Sequence, residues 1–374
     1  MKKKLLFLYP YKFTDFEYFK LEIEKYKKFN YKVLIYDLSE IITNKSLNKA
    51  WKSKRSKAAI APNSILHFYN FLKKKKKNLV IINLMQNHCN FKSFLILLII
   101  KLLKVKQLFI FDECQYAASE TLQFLHRESR SAKHRFLLSG TPWRDTGDDI
   151  LIEAVAGPKI VDISATKLIK EGYLVPPDIH FINVPTMRGV GKTYHEVYKN
   201  YVVENDDRNE IILKATRKLV KAGKKVLILV VRVGHGNVLL EKLSEEFKVK
   251  FLDGAKSSKD RIGAINEMKN GELDLLIASK IFDQGVDIPN LDALVLAGSG
   301  KSSGRALQRI GRVIRNAPGK KKAIVVELFD NCKYLRDHSE SRIEVYKSEP
   351  GFNIIMPKNK VLQSYPKRKP VEWT

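Results

Sequence analysis

The sequence predicts an α/β fold in which parallel sheets are covered by helices. Short apolar strands alternate with helices along most of the chain, which is typical of parallel sheets. The 374 residues are 44% hydrophobic and 10% aromatic, as in globular proteins. A chain of this length can form two or three domains with their own cores, and the composition excludes a disordered chain.

Basic charge is concentrated in the N-terminal part of the chain. The formal net charge is +28, and residues 1–107 carry 24 Lys and Arg against 6 Asp and Glu, whereas the remainder carries 44 against 34. A strongly basic protein favours a polyanionic partner, such as nucleic acid or an anionic membrane surface. The shift in composition predicts a boundary near residue 107.

Residues 1–106 are predicted to form a Rossmann-like α/β segment. Strands are expected at Leu5–Tyr9, Lys32–Asp37 and Asn78–Asn83, with helices at Asp15–Lys28 and Phe91–Lys104.

No integral membrane span is predicted. The apolar run Phe94–Leu103 is interrupted by Lys101 and is shorter than the ~20 residues that cross a bilayer. Three scattered cysteines without a CxxC pair indicate neither a disulfide framework nor a zinc site, so a cytoplasmic location is expected.

From Gln107 onwards the pattern changes. An apolar strand, Leu108–Phe111, ends in Asp112, Glu113, Cys114 and Gln115. Adjacent carboxylates at the end of a strand can hold Mg²⁺ through its water shell and polarise an attacking water, the first role falling to Asp112 and the second to Glu113. Because such pairs are common by chance, this motif needs support from the rest of the chain.

A second turn follows another short strand. The strand at Arg135–Leu138 ends in Ser139, Gly140, Thr141 and Pro142, where glycine and proline favour a sharp turn. The two hydroxyl groups beside this turn could relay between phosphate chemistry and a neighbouring lobe, although an ordinary turn would have the same residues.

The C-terminal half repeats strand and helix from about Tyr194 to Asp330. Two polar motifs stand out there: SKIFDQGVDIP, which includes Gly285 and Asp287, and QRIGRVIR, which includes Gln308, Arg312 and Arg315. On a helix, Arg312 and Arg315 would share a face. Guanidinium groups at the edge of a parallel sheet suit a triphosphate because they bind phosphate oxygens bidentately, whereas the plain alternative is a basic helix face.

The order DECQ, SGTPWR, QGVDIP and QRIGRVIR resembles the superfamily 2 helicases, the DEAD/DEAH-related translocases, and phage and repair-type members most of all. The resemblance covers residues 107–330 and implies RecA-like lobes, one partial and one complete. It also implies ATP and Mg²⁺ as cofactors and DNA or RNA as partner. In the QGVDIP motif, Gln284 stands where the family usually has an acidic residue.

The same resemblance implies residue roles. Asp112, Glu113, Arg312 and Arg315 are expected to be catalytic, the two arginines as arginine fingers. Gln308, Asp287 and Gly285 are expected to contact the nucleotide. Coupling between nucleotide and nucleic acid is expected from the residues that follow the first two strands: Gln115, Ser139, Gly140 and Thr141.

One element of such enzymes is missing from its usual place. No GxxxxGK[ST] loop precedes DECQ, and the GVGKT stretch at Gly189–Thr193 follows SGTP instead, so we interpret it as a flexible basic turn. A truncated or chimeric helicase is therefore one hypothesis. A non-catalytic nucleic-acid-binding remnant, completed by a protein partner that supplies the missing lobe elements, is another.

Residues 1–106 are weakly similar to bacterial surface-polysaccharide biosynthesis proteins in Tyr31–Ile42 and Asn90–Lys106, which leaves an envelope polysaccharide or glycosyl-transfer function as a third hypothesis. The predicted domains are a basic segment (1–106), a partial first lobe (107–187), a second lobe (188–340) and a basic tail (341–374).

Overall fold

The computed structural model describes residues 4–9, 26, 28–29, 31–38, 59–60, 64–75, 79–83, 91–116, 119, 123, 126–127, 132, 134–141, 149–187, 189–256, 258–279, 291–298 and 303–357. The chain divides into two compact units, residues 1–160 and 161–374. Within the described ranges, no helix is long and apolar enough to cross a membrane.

The first unit contains one six-stranded parallel sheet with the order β3-β2-β1-β4-β5-β6. Its strands are β1 (Lys4–Tyr9), β2 (Lys32–Asp37), β3 (Ala59–Ile60), β4 (Leu79–Asn83), β5 (Lys106–Phe111) and β6 (His134–Leu137). Its helices are α1 (Ile65–Lys75), α2 (Phe91–Leu102) and α3 (Asp149–Ala156). The sequence prediction of strands at β1, β2, β4, β5 and β6 is confirmed.

Alternate residues of β1 bury on opposite faces of the sheet. Leu6 and Leu8 belong to the larger apolar cluster, and Leu5 and Phe7 belong to the smaller one. This is the arrangement expected of a parallel strand covered on both sides. In contrast, β6 lies at the edge of the sheet, and three of its four residues are exposed.

Strand β5 joins the two regions that composition separates. The predicted boundary after residue 106 falls within β5, which pairs with β4 from Val80↔Lys106 to Asn83↔Phe109. Residues from both sides of that boundary therefore share one sheet. The predicted helix at Asp15–Lys28 lies largely outside the described residues.

The second unit contains a seven-stranded parallel sheet with the order β13-β7-β12-β11-β8-β10-β9. Its strands are β7 (Pro177–Val184), β8 (Val226–Leu229), β9 (Val249–Leu252), β10 (Leu275–Ala278), β11 (Ala293–Leu296), β12 (Ala323–Asp330) and β13 (Asn353–Ile355). Its helices are α4 (Ala165–Lys170), α5 (Tyr194–Val197), α6 (Asp206–Lys221), α7 (Val233–Ser244), α8 (Ser258–Asn270), α9 (Ser303–Val313) and α10 (Leu335–Lys347), with a π-helical turn at Tyr198–Val203.

Two segments contribute more to this sheet than the sequence indicated. Two adjacent prolines favour an extended connection, but Pro177 begins β7, because the first residue of a strand can do without an N–H. Beyond residue 340, α10 continues to Lys347 and β13 pairs with β7, so part of the predicted basic tail is folded. Residues 358–374 lie outside the described ranges.

Candidate functional site

Two exposed carboxylates follow β5 at the carboxyl end of the first sheet. Asp112 and Glu113 come directly after Phe111, which is fully buried. Glu113 has a φ of 60°, and its N–H donates to Asp112 Oδ1 at 3.0 Å. A left-handed backbone conformation is costly for a residue with a side chain, and such strain clusters at functional sites. The turn thus holds both acidic groups in solvent at one strand end.

A chain of hydrogen bonds connects this turn with the turn after β6. The Gln115 side-chain amide donates to Glu113 Oε2 at 2.5 Å, and the Ser139 hydroxyl donates to Gln115 Oε1 at 2.5 Å. The N–H of Thr141, which is 3% exposed, then donates to Ser139 Oγ at 3.0 Å. We call Glu113, Gln115, Ser139 and Thr141 the relay; Gly140 lies within the same turn and is exposed.

The backbone fixes the spacing of the two turns. The Cys114 N–H donates to the Leu138 carbonyl at 2.9 Å, and the Leu138 N–H donates to the Phe111 carbonyl at 2.7 Å. Burial and the neighbouring charges of Asp112 and Glu113 raise the pKa of the Cys114 thiol. Cys114 is therefore a structural residue of the turn and a poor nucleophile.

The donor set at this strand end fits Mg²⁺. Magnesium is bound in proteins by one or two carboxylates together with waters and phosphate oxygens, and Asp112 and Glu113 offer such carboxylates in solvent. In the described parts of the chain, no group of three or more His, Cys, Asp or Glu residues could enclose a metal ion. A site here would therefore depend on phosphate oxygens to complete the coordination.

In the second unit, helix α9 presents the QRIGRVIR residues. Gln308 and Arg312 are half-buried, whereas Arg309 is only 7% exposed. The Arg309 guanidinium donates to the Gly298 carbonyl at 3.5 Å, just beyond β11. Arg309 therefore belongs to the framework of the unit, whereas Gln308 and Arg312 remain partly accessible.

Arg315 does not share the α9 face with Arg312, so that part of the sequence prediction is wrong. The helix ends at Val313, and Arg315 forms an antiparallel bridge with Leu174. The Lys320 ammonium group donates to the carbonyls of Val313 and, at 3.2 Å, of Arg315. A cation that satisfies the last carbonyls of a helix stabilises its end at this point. The Arg315 side chain is exposed.

The GVGKT stretch is a helix cap. Thr193 accepts from the Glu196 N–H in a capping box, and Glu196 Oε2 accepts from the N–H groups of Lys192 and Thr193 at 2.9 and 3.0 Å. The amides that would hold a phosphate in a phosphate loop are thus already bound to a carboxylate. These contacts lower the pKa of Glu196.

Sequence reasoning missed two buried ion pairs in the second unit. Arg208 Nε donates to Asp330 Oδ1 at 2.8 Å, and Arg208 NH1 also donates to the Ala297 carbonyl at 2.7 Å. Arg342 pairs with Glu327, which is fully buried within β12. The available signal was a charged residue among apolar ones, as in the run Ala323–Asp330, because such a charge is tolerated only when it is paired.

Two predicted site residues, Gly285 and Asp287, lie outside the described residues.

Comparison with known proteins identifies the region around α9. Residues 207–317 match the Helicase conserved C-terminal domain. The ATP-dependent DNA helicase uvsW of Enterobacteria phage T4 is 26% identical over 268 residues, which cover 66% of this chain and 53% of that protein. The putative DNA 3'-5' helicase Rad25 of Haloarcula marismortui is 29% identical over 221 residues, 56% of this chain and 33% of that protein.

A solved structure agrees on the fold. Dbp5 of S. cerevisiae, bound to RNA and ADP BeF3, matches with a TM-score of 0.51 and 14% identity, covering 95% of this chain and 77% of that chain. The two parallel sheets therefore have the fold of RecA-like lobes. The chain spans about half or less of the length of the curated relatives named above. The polysaccharide resemblance of residues 1–106 is not shown by these comparisons, and neither is a truncation.

Proposed function

This chain is related to the superfamily 2 helicases, and we propose that it couples ATP hydrolysis to movement along DNA or RNA. The observation that carries the proposal is the relay, which connects the Glu113 carboxylate to the turn after β6 through Gln115 and Ser139. A change at the nucleotide would alter the hydrogen bonds of Glu113 and, through Gln115, the position of the second turn.

Buried, unpaired Cys114 and Cys332 agree with a reducing compartment such as the cytoplasm.

The chemistry that we assign is the attack of a water molecule on the γ-phosphorus of ATP. A P–O bond forms to the water, the bond to the β,γ-bridging oxygen breaks, and ADP leaves with that electron pair. Glu113 orients and polarises the water, and Asp112 would hold Mg²⁺. The ion would neutralise charge on the phosphate oxygens.

The second unit contributes positive charge and polar contacts in this proposal. Arg312 and Arg315 stabilise the negative charge that develops on the phosphoryl oxygens, and Gln308 contacts the nucleotide. Gly285 and Asp287 complete the nucleotide contacts. The exposed side chain of Arg315 and the half-buried side chain of Arg312 support this assignment, because a group that meets a ligand must be reachable.

The relay gives the sharpest test. Glu113→Gln removes the polarising carboxylate and should reduce nucleic-acid-stimulated ATP hydrolysis by about a hundred-fold or more. Ser139→Ala removes the bond to Gln115 and should leave basal hydrolysis nearly unchanged while reducing its stimulation by nucleic acid. Ser244→Ala, which removes a hydroxyl that donates to the Glu241 carbonyl at 3.0 Å, is the matched control.

Hydrolysis by pure wild-type protein, with and without DNA or RNA, is the measurement. Absence of hydrolysis under all these conditions would reject the ATPase proposal. Equal stimulation of Ser139→Ala and wild type would reject the coupling role of the relay.

A second candidate is binding of nucleic acid without turnover by this chain alone. Two observations favour it: no GxxxxGK[ST] loop precedes DECQ, and Glu196 occupies the amides of the GVGKT turn. Salt-sensitive binding of DNA or RNA without hydrolysis would support this candidate.

In this second candidate, a protein partner adds the phosphate-binding loop together with a strand. Within the described residues, β6 pairs only with β5, and its edge exposes Phe136 (46%) and the adjoining Leu138 (52%). An unpaired edge with apolar side chains can accept a further strand. ATP hydrolysis by the pure chain would exclude the need for such a partner.

A further inference from the structure

An exposed tyrosine in the second unit lies against three other rings. The Tyr194 ring centre is 5.9 Å from that of Tyr198, 6.1 Å from that of Tyr334 and 5.7 Å from that of His338. We call these four residues the Tyr194 cluster. Tyr194 remains 41% exposed, whereas Tyr198 beneath it is 2% exposed. A buried ring thus supports one that faces solvent.

The backbone around Tyr334 is held in an unfavourable conformation. Tyr334 has a φ of 66°, a region that residues with side chains rarely adopt. Its hydroxyl donates to the Lys192 carbonyl at 3.1 Å, which ties the start of α10 to the residues before α5. Strain of this kind costs about 1–3 kcal/mol and is typical of positions where function requires the geometry.

Cationic groups surround the rings. Lys333 Nζ lies 4.9 Å from the centre of the Tyr334 ring, and the Arg232 guanidinium carbon lies 5.5 Å from the centre of the Tyr198 ring. Arg232 also contacts the His195 ring at 3.0 Å. Of the acidic groups nearby, Glu196 is bound by backbone amides of Lys192 and Thr193, and Asp330 is buried against Arg208. The surface therefore combines aromatic faces with positive charge.

The electrostatics of Tyr194 connect this surface with α9. Burial raises the pKa of Tyr194, whereas the charges of Arg232, Arg342 and Arg305 act in the opposite direction. Arg342 is buried against Glu327, but Arg305 is exposed in the first turn of α9. The helix that carries Gln308 and Arg312 thus begins within electrostatic reach of the Tyr194 cluster.

Aromatic faces flanked by cations match the chemistry of single-stranded nucleic acid, whose bases stack on rings while its phosphates pair with Lys and Arg. We propose that Tyr194 stacks against a base of a single-stranded nucleic acid and that Lys333 and Arg232 bind the adjacent phosphates. This inference rests on the proposed nucleic-acid function and specifies a site for it. A double helix would not expose a base face to Tyr194, so the ligand is unpaired.

Binding measured without ATP tests this inference. Fluorescence anisotropy would follow labelled oligo(dT) and oligo(U) of about 20 nucleotides, a length that covers one or more typical binding sites. A strand of equal length made of abasic deoxyribose phosphates provides the same charge without bases. Tyr194→Ala should weaken binding of oligo(dT) about ten-fold and leave binding of the abasic strand unchanged, because stacking contributes ~1–3 kcal/mol per base.

Two further variants separate stacking from charge. Tyr194→Phe keeps the ring and should bind oligo(dT) like wild type. Lys333→Gln should weaken oligo(dT) and abasic strands alike and reduce the salt dependence by about one counterion. Tyr173→Ala removes another exposed tyrosine, 67% accessible and outside the cluster, and should have no effect.

Several outcomes would overturn the inference. These are equal wild-type affinity for oligo(dT) and the abasic strand, equal losses on both strands in Tyr194→Ala, or no binding of either strand. Circular dichroism checks that each variant is folded. If Tyr194→Ala is not folded, binding by Tyr194→Phe can still be compared with binding by the wild type. Tyr194-dependent binding without ATP hydrolysis would support this site while rejecting the ATPase proposal.

Discussion

The two units of this chain differ in whether their described parts bury charged residues. In the described part of the first unit, no Asp, Glu, Lys or Arg is buried, and Asp112 and Glu113 stand in solvent at a strand end. In the second unit, buried charged residues include Arg208, Arg309, Glu327, Asp330 and Arg342.

This difference indicates different ways of positioning functional groups. The first unit uses backbone strain and a side-chain relay at its surface, with an apolar core beneath. The second unit uses internal arginines that donate to carbonyls at the ends of its strands, such as those of Ala297 and Gly298. Buried charges are costly unless paired, so the second framework should be sensitive to the loss of any one partner.

The largest effect is expected from breaking the buried pair of Arg208 and Asp330. Arg208→Met would leave the Asp330 carboxylate buried without its cation and should lower the free energy of unfolding by about 3–5 kcal/mol. Chemical denaturation followed by circular dichroism measures the change, and hydrogen exchange would show that the second unit is affected.

Two comparisons control this experiment. Lys242→Met breaks an exposed pair with Asp206, 3.5 Å long, and should cost less than about 1 kcal/mol. The double variant Arg208→Met/Asp330→Leu should recover much of the lost stability because neither charge is left alone. A loss of equal size in Lys242→Met would contradict the distinction between buried and exposed pairs.

An intermediate effect is expected from acid, because each unit buries a histidine. Burial, followed by the charge of Arg135, lowers the pKa of His126 to about 4. Burial, followed by the charge of Arg208, lowers the pKa of His235 to about 3. The unfolded chain binds the proton more tightly in both cases, so stability is full above about pH 6.5 and falls as the pH drops towards these values.

Each histidine should therefore account for about 2 kcal/mol of lost stability at pH 5 relative to pH 8. His235→Gln keeps a donor for Asn209 Oδ1, which His235 Nε2 meets at 2.8 Å, and should reduce the acid sensitivity of the second unit. The His126 ring contacts those of Phe109 and Phe111. His126→Phe should therefore reduce the acid sensitivity of the first unit. The free energy of unfolding, measured from pH 4.5 to 8, tests this prediction, and His134→Gln at an exposed histidine is the control. An unchanged pH dependence of stability in both His235→Gln and His126→Phe would contradict it.

The smallest effect tests whether GVGKT is a cap. Thr193→Ala removes the hydroxyl that accepts from the Glu196 N–H and should cost about 1 kcal/mol of stability. Nucleotide affinity should not change, because the amides of this turn bind Glu196. Ser164→Ala, which removes the cap of α4, should cost a similar amount. A selective loss of ATP affinity in Thr193→Ala would instead identify a nucleotide loop.

Local patterns were sufficient for much of the fold and part of the site. Apolar runs predict β1, β2 and β5, and the acidic pair after β5 indicates the end of a strand, because these signals depend on neighbouring residues. Family resemblance predicts the relay members Gln115 and Ser139 as coupling residues, whereas their direct hydrogen bond across 24 residues depends on the fold.

Other features depended on contacts between distant residues. Beyond the end of α9, Arg315 forms a bridge with Leu174, and the Lys320 ammonium group binds the Arg315 carbonyl. In contrast, the capping box of Thr193 and Glu196, which occupies the GVGKT amides, is a local pattern that the sequence already contains.

The sequence by itself determined that this chain forms parallel α/β sheets, that carboxylates follow β5, and that arginines lie within and just after α9. Only the tertiary structure decided which of those groups are accessible, that Arg208 meets Asp330 across 122 residues, and that Tyr194 rests on Tyr198. The physical reason is that hydrophobic periodicity is a local property, whereas ion pairing and ring contacts require residues that only the folded sheet brings together.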